Sequence, residues 1–201
     1  VVAGGMILVV GDYDADGATS TALCVSLLKA MGARADFLVP DRFRYGYGLS
    51  PEIVEVAAQR RPAVILTVDN GISSIEGVAR ARAHGIRVVI SDHHLPGAQL
   101  PDADAIVNPN QPGCLFPSKA IAGVGVAFVL LQALCASLGV PPSAPVRFLD
   151  LVTIGTVADV APLTGANRIL VRQGLPMLTT LNKKLGLASL LRAIGVKERA
   201  T

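Results

Sequence analysis

Three acidic side chains stand at alternate positions in the segment Gly11–Gly17, whose sequence is GDYDADG. A single aspartate would be enough to cap a following helix, whereas Asp12, Asp14 and Asp16 together repel one another unless a cation neutralises them. An EF-hand loop also begins with alternating acids, but a strand-like rather than a helical segment precedes this one, and no glutamate occupies the twelfth position. The segment therefore predicts a metal site.

Further ligand types occur at separate places along the chain. Asp69 opens an Asp-Asn-Gly sequence, which is also a common turn, so this aspartate is ambiguous on its own. His93 and His94 are adjacent imidazoles, and Asp92 before them is suited to orient one of the two rings as a hydrogen-bond acceptor. The adjacent histidines favour the same kind of site as the acids.

Asp159 lies in the apolar segment Gly155–Pro162, where a buried carboxylate is costly unless it is paired or bound to a metal. Both a remote metal ligand and a hydrogen-bonded helix end are consistent with it. Carboxylates combined with imidazole favour Mn²⁺ or Mg²⁺, as one ion or as two. Two such ions can generate a hydroxide nucleophile and stabilise both oxygens of an in-line phosphoryl displacement. The residues alone thus predict a metal-dependent phosphoester or phosphoanhydride hydrolase.

Short apolar segments that alternate with helical segments must position these side chains. The predicted strands are Met6–Val10, Ala35–Val39, Val64–Val68, Arg87–Ile90 and Ala105–Val107. The predicted helices are Thr19–Met31, one that begins at Ser50-Pro51, and one from a Ser73/Glu76 capping box to His84. Pro40–Leu49 is predicted to be a loop, and the sequence from Ala120 onward to be mainly helical, with breaks at Pro141-Pro142, around Asp159–Pro162 and near Gly186.

This alternation predicts an α/β fold: a mainly parallel sheet of about five strands with helices on both faces, followed by a mostly helical C-terminal portion. Ligands of such sheets lie beyond the carboxyl ends of the strands. The acids and adjacent histidines follow the first, third and fourth predicted strands, so we expect them to meet at that edge. His84 falls in the last turn of a helix and is predicted to be a surface residue.

The composition fits one domain with a large core and excludes disorder, because 51% of the 201 residues are hydrophobic and only 16% are charged. The uncharged segment Ala120–Val140 is long enough to span a membrane, but Gln132, Ser137, two glycines and the lack of a flanking basic cluster favour a buried helix. The three widely spaced cysteines predict free thiols. A net charge of +3 is too small to predict nucleic-acid binding by itself, whereas the excess of aspartate over glutamate favours turns and metal sites.

Four segments in this order resemble the motifs of the DHH phosphoesterase superfamily: Asp14–Gly17, Val68–Gly71, Asp92–His94 and Gly155–Asp159. Four flanking segments resemble the bacterial members that degrade single-stranded DNA from its 5′ end, namely Gly11–Leu23, Gly46–Ser50, Ser91–Gly97 and Ala122–Phe128. The resemblance implies a cytoplasmic bacterial 5′→3′ exonuclease of DNA repair and recombination, dependent on Mn²⁺ or Mg²⁺, that releases mononucleotides and has no membrane association.

The resemblance also implies roles for single residues. The positions that match metal ligands are Asp14, Asp16, Asp69, His93 and Asp159, with Asp69 in the place of a bridging carboxylate. His94 would lie near the scissile phosphate, and Arg42 resembles a phosphate-contacting arginine, for which a solvated loop charge is the alternative. Val10 stands where many members have a metal-binding histidine, so a second ion would be weaker, or completed by substrate, by Asp12 or by Asp92. Gly123 and Gly125 are expected to allow close backbone packing near the site.

Residues 1–201 resemble the DHH catalytic domain alone. In a longer protein we expect a substrate-gripping DHHA1 domain and an oligonucleotide-binding domain beyond it, with single-stranded DNA, a single-strand-binding protein and a helicase as partners. Two further hypotheses stay open: an oligonucleotide, dinucleotide or pyrophosphate hydrolase of the same superfamily, and a non-catalytic scaffold of a replication complex.

Overall fold

The computed structural model describes residues 4–179 together with Ser189, Ala193 and Gly195. The strands of this part of the chain are β1 (Ile7–Gly11), β2 (Ala35–Leu38), β3 (Val64–Val68), β4 (Arg87–Ser91) and β5 (Ala105–Val107). They form one sheet in the order β2-β1-β3-β4-β5, and each neighbouring pair is parallel. From β1 the chain goes first to β2 on one side and then to β3 on the other, so the topological switch point lies between β1 and β3. Parallel sheets of this kind bind ligands at that point. The predicted α/β fold with a five-stranded parallel sheet is confirmed.

Helices cover the sheet and make up the C-terminal portion. The α-helices of the described residues are α1 (Ala15–Ala30), α2 (Arg42–Tyr45), α3 (Pro51–Ala58), α4 (Ile75–Ala83), α5 (Gly123–Ser137), α6 (Leu149–Ala158) and α7 (Gly165–Thr179). A 3₁₀ helix, Ala144–Phe148, follows the predicted break at Pro141-Pro142. The break predicted near Gly186 lies outside the described residues.

Two hydrophobic layers, one on each face of the sheet, explain why the strands are apolar at nearly every position. Successive residues of a strand point to opposite faces, so Val9 packs with α1 and α5, while its neighbour Leu8 packs with α3 and α4. Leu131 of α5 and Val54 of α3 are fully buried members of the two layers. Helices α6 and α7 extend the α1–α5 layer: α6 packs against α1 and α5, and α7 packs against α6.

Helix α1 begins at Ala15, earlier than the predicted start at Thr19. The reason is that Asp14 is its N-cap: the N–H of Gly17 donates to Asp14 Oδ1 over 2.9 Å. Asp16 consequently lies in the first helical turn, and the predicted free turn of Gly11–Gly17 was too long. One acid of the Asp-rich segment therefore begins the helix, which does not prevent it from also being a ligand.

The other predicted helix starts have different outcomes. Ser50 caps α3 as predicted, because the N–H of Ile53 donates to its Oγ over 3.4 Å. The predicted Ser73/Glu76 capping box of α4 was wrong: Ser74 occupies the N-cap position, and its Oγ accepts instead from the N–H of Leu49 (3.1 Å). Tertiary contact with the preceding loop thus replaces a local cap.

Helix α5, the three cysteines and His84 have the environments predicted for them. Helix α5 contains most of the uncharged segment, and none of the described helices combines the length and apolar character that crossing a bilayer requires. Cys24, Cys114 and Cys135 are free thiols, as predicted. His84 is exposed at the C-cap of α4, and its Nε2 lies 3.0 Å from Glu55 Oε1.

Candidate metal centre

The sheet register brings the acids of three strands side by side. Gly11 of β1 pairs with Val68 of β3, and Val68 pairs with Ser91 of β4. The residues that follow these strand ends, Asp12, Asp69 and Asp92, therefore leave the same edge of the sheet. These acids therefore meet at the carboxyl ends of the strands, as predicted.

Ligand atoms gather into three overlapping sets beyond this edge. Within each set the atoms lie within 4.8 Å of one another, and the sets are Asp69/His93/His94, Asp16/His93/Asp159 and Asp12/Asp14/Asp69. Asp69 belongs to two of the sets, and so does His93. Every residue expected to be a metal ligand is among them, and Asp159 reaches the site from the C-cap of α6.

Asp69 adopts a left-handed backbone conformation, with φ +62°, which a non-glycine residue rarely adopts. Its N–H donates to Ser91 O over 2.9 Å, so the neighbouring strand end holds it. The amide of buried Asn70, which the sequence analysis did not single out, donates to Val10 O (3.1 Å) and Val68 O (2.9 Å). These contacts join β1, β3 and β4 around Asp69, whose backbone is strained.

His93 is oriented by a backbone carbonyl. Its Nδ1 lies 3.1 Å from Ile121 O, and since a carbonyl can only accept, Nδ1 carries the hydrogen. The other nitrogen, Nε2, lies 3.1 Å from Asp69 Oδ1. Burial lowers the pKa of His93, but contact with Asp69 and the nearby charges of Asp16 and Asp159 outweigh it and raise that pKa to about 9. Nε2 needs a positive partner or a proton.

Two buried carboxyl groups, those of Asp69 and Asp16, also require a proton or a nearby positive charge. Burial raises the pKa of Asp69 to about 7, despite the contact with His93. Burial also raises the pKa of Asp16 to about 6, although the N–H groups of Val124 (2.9 Å) and Gly123 (2.7 Å) donate to its carboxylate at the start of α5. Carboxylates that repel one another in a buried site require a compensating charge.

The donor set fits a divalent cation. Asp69 Oδ1 is buried, and among the described residues no well-aligned hydrogen bond reaches it beyond the 3.1 Å contact with His93 Nε2, although a buried carboxylate oxygen normally accepts at least one. Several carboxylates with one imidazole are the ligands that Mn²⁺ accepts, and Mg²⁺ suits the carboxylates. The residues that could hold such an ion are Asp12, Asp14, Asp16, Asp69, His93 and Asp159.

Asp92 has a different position from the other acids. Its Oδ2 accepts from the N–H of Ile72 (2.9 Å), and its Oδ1 accepts from the N–H groups of His93 (2.7 Å) and His94 (3.1 Å). The same Oδ1 lies 2.7 Å from His94 Nδ1. Of the two acids considered for completing a second metal site, Asp12 is the one that lies in a ligand set, whereas Asp92 orients His94.

This pairing shapes the charge of His94. Burial raises the pKa of Asp92, but hydrogen bonds from the His94 ring and the Ile72 N–H bring it below its ordinary value. The hydrogen bond to Asp92 in turn raises the pKa of His94. The His94 side chain is 46% exposed and lines a cleft of about 520 Å³ together with Tyr47, Ser50 and Ser73. An imidazole with a raised pKa thus faces solvent beside the acids.

Two asparagines beyond β5 were missed by sequence reasoning. The side chain of Asn108 donates to His94 O (3.0 Å), and that of Asn110 donates to His93 O (2.7 Å). Their position gave a usable signal, because an Asn-Pro-Asn sequence follows a predicted strand at the same carboxyl edge. Together they hold the main chain of both histidines.

Arg42 and the α5 glycines complete the comparison with the sequence. Arg42 begins α2, but its side chain lies outside the described residues, so its phosphate contact stays a prediction. A Cβ on Gly123 would lie 2.4 Å from Asp69 Oδ1, in agreement with the close packing expected there. A Cβ on Gly125 would instead meet the Ile121 side chain at 2.6 Å.

Comparison with known proteins gives matches over most of the chain. The DHH family, N-terminal domain, matches residues 6–156. The single-stranded-DNA-specific exonuclease RecJ of Dickeya dadantii is 53% identical over 195 residues, covering 92% of this chain and 34% of the relative. The corresponding protein of Escherichia coli is 51% identical, covering 94% of this chain and 34% of its own length. The chain thus spans about a third of the length of these curated relatives.

A solved structure agrees with the sequence matches. The crystal structure of exonuclease RecJ bound to manganese superposes with a TM-score of 0.87 and 40% identity, covering 98% of this chain and 49% of the other. With the family match over residues 6–156 and the motif residues together at one sheet edge, the chain belongs to the DHH family.

Proposed function

We propose that this chain is the catalytic domain of a metal-dependent 5′→3′ exonuclease that hydrolyses phosphodiester bonds of single-stranded DNA to mononucleotides. The observation that carries the proposal is the contact of His93 Nε2 with Asp69 Oδ1 inside a cluster of carboxylates, three of which are buried: Asp12, Asp16 and Asp69. Such a cluster is costly for a fold and suits a divalent cation. The similarity to RecJ exonucleases supports single-stranded DNA as the substrate.

In this proposal the acids and His93 would bind the metal, and His94 and Arg42 would contact the phosphate. Asp14, Asp16, Asp69, His93 and Asp159 would hold Mn²⁺ or Mg²⁺, with Asp12 near enough to complete a second position. A bound ion would supply an activated water and stabilise the charge that develops on the phosphate. His94 would donate its Nδ1 hydrogen to Asp92 and, when its ring is doubly protonated, donate the Nε2 hydrogen to a phosphate oxygen from the cleft wall. Arg42 would contact a further phosphate oxygen.

The test is hydrolysis of a 5′-phosphorylated single-stranded oligonucleotide by the full-length protein with Mn²⁺, followed by identification of the product and of the end attacked. We expect mononucleotides released from the 5′ end. Asp69→Asn should lower kcat by about 1,000-fold or more, because it removes a carboxylate shared by two ligand sets. Asparagine is chosen because it tolerates the left-handed backbone of this position.

Asp36→Asn is the matched control, since Asp36 forms an exposed ion pair with Arg60 and such pairs contribute little. Undiminished activity of Asp69→Asn would overturn the site. Faster hydrolysis of dinucleotides or pyrophosphate than of long strands would replace the exonuclease with a small-substrate hydrolase. Absence of Mn²⁺ binding in calorimetry would favour the non-catalytic scaffold.

A further inference from the structure

One hydroxyl group contacts both a metal-ligand candidate and the exposed histidine. Tyr47 OH lies 3.3 Å from the backbone carbonyl oxygen of Asp69. The same oxygen atom lies 3.2 Å from Nδ1 and 3.4 Å from Nε2 of His94. The Tyr47 and His94 rings meet edge to face, with centroids 5.8 Å apart.

The direction of these hydrogen bonds follows from the chemistry of the groups. A backbone carbonyl only accepts, so the Tyr47 O–H donates to Asp69 O, and the hydroxyl oxygen then accepts from the imidazole. His94 Nδ1 consequently faces two acceptors, Asp92 Oδ1 and Tyr47 Oη. Both acceptors favour a hydrogen on Nδ1, and the contacts of the hydroxyl with the ring restrain the orientation of His94.

The same hydroxyl also restrains Asp69. The left-handed backbone of this residue has its N–H bonded to Ser91 O and its carbonyl bonded to Tyr47. Both of its peptide groups are therefore held by other segments of the chain. Loss of the Tyr47 hydroxyl would remove the hydrogen bond to the Asp69 carbonyl and the contact with the His94 ring at the same time.

The loop that carries Tyr47 is built to hold it there. Gly48 has φ +75°, a conformation that favours glycine, and the next N–H, that of Leu49, donates to Ser74 Oγ at the start of α4. Ser50 then caps α3. The Tyr47 backbone is thus anchored through its following residues to two helices.

We propose that Tyr47 is a positioning residue of the hydrolytic site, whose hydroxyl fixes the His94 ring relative to Asp69. The proposal rests on the proposed function, because it assigns Tyr47 to the orientation of a group that would contact the scissile phosphate. Removing the hydroxyl should slow the chemical step while leaving substrate binding nearly intact.

The experiment compares Tyr47→Phe with the wild type in the full-length protein, using Mn²⁺ and a 5′-phosphorylated single strand. We expect kcat to fall about tenfold, as for the loss of one hydrogen bond, with KM within about twofold. In Mg²⁺-loaded protein the ¹⁵N signals of His94 should shift. Tyr45→Phe is the matched control, because Tyr45 lies in the same segment and packs against the α3–α4 layer.

Three outcomes would overturn the proposal: an unchanged kcat, a raised KM with unchanged kcat, or a lower kcat with unmoved His94 signals. The second would make Tyr47 a substrate contact, and the third a structural residue. A wild-type protein without nuclease activity would overturn the proposed function, and the His94 signals would still decide whether Tyr47 positions that ring.

Discussion

At the scale of single residues, His93 has two neighbours that cannot both be satisfied by a neutral ring. Its Nδ1 hydrogen is committed to Ile121 O, and its Nε2 faces the Asp69 carboxylate at 3.1 Å. Without an ion, a proton on Nε2 resolves the conflict, which is why the pKa of His93 rises to about 9. A metal ion would take the place of that proton.

Mn²⁺ binding should therefore strengthen as the pH rises from about 6 to about 8, because the ligands must lose protons first. Near pH 7, His93 is protonated, Asp69 about half protonated and Asp16 mostly ionised, so filling the site should release between about one and two protons in total. Calorimetry in two buffers of different ionisation enthalpy measures this number. An affinity that is constant over this pH range would contradict the prediction.

At the scale of elements, the start of α5 is as important to the site as the strand ends. Its first two N–H groups donate to Asp16, and Gly123 packs against the Asp69 carboxylate. The helix N-terminus thus places partial positive charge beside two buried acids. Gly123 has no Cβ, and this absence is what lets the helix approach so closely.

Gly123→Ala should disrupt the site, because its Cβ would lie 2.4 Å from Asp69 Oδ1. We expect the free energy of unfolding to fall by about 1–3 kcal/mol, as at other overpacked positions. The affinity for Mn²⁺ should fall by about tenfold or more. Melting curves and calorimetry measure the two effects. Gly97→Ala is the control, because its Cβ would meet only Gln99 O, at 3.9 Å, and both quantities should stay near wild type.

At the scale of the whole molecule, the chain carries the candidate metal ligands but has little excess positive charge. All the candidate ligands lie between Asp12 and Asp159, within the α/β layers described above. The net charge of the chain is only +3, and affinity for a phosphate backbone grows with the number of basic contacts. The curated relatives are about three times as long as this chain.

Residues 1–201 alone should therefore bind Mn²⁺ but degrade single-stranded DNA weakly or not at all. The comparison is between the isolated chain and the full-length protein, with Mn²⁺ affinity measured by calorimetry and digestion by gel electrophoresis. Processive digestion by the isolated chain would show that its own surface grips DNA. A loss of Mn²⁺ binding in the isolated chain would show that the metal site needs residues beyond it.

The types of ligand and the edge at which they meet could be predicted from the sequence. Alternating apolar strands and helices imply a parallel sheet, and the carboxyl ends of parallel strands share one edge, so acids placed after those strands must converge. Even the role of Asp92 as an acceptor for a neighbouring ring was predictable from its position beside two histidines. These inferences depend on local pattern and on rules of topology.

Only the tertiary structure decided which group each side chain contacts. Asp16 meets the start of α5 more than a hundred residues away, Asp69 takes a left-handed backbone, and Tyr47 links it to His94. Ser74 bonds Leu49 instead of capping its own helix, which is why the predicted capping box failed. Such contacts depend on the packing of distant segments, and no local periodicity or spacing encodes them. The sequence by itself determined the chemistry that is available, and the packing determined how it is oriented.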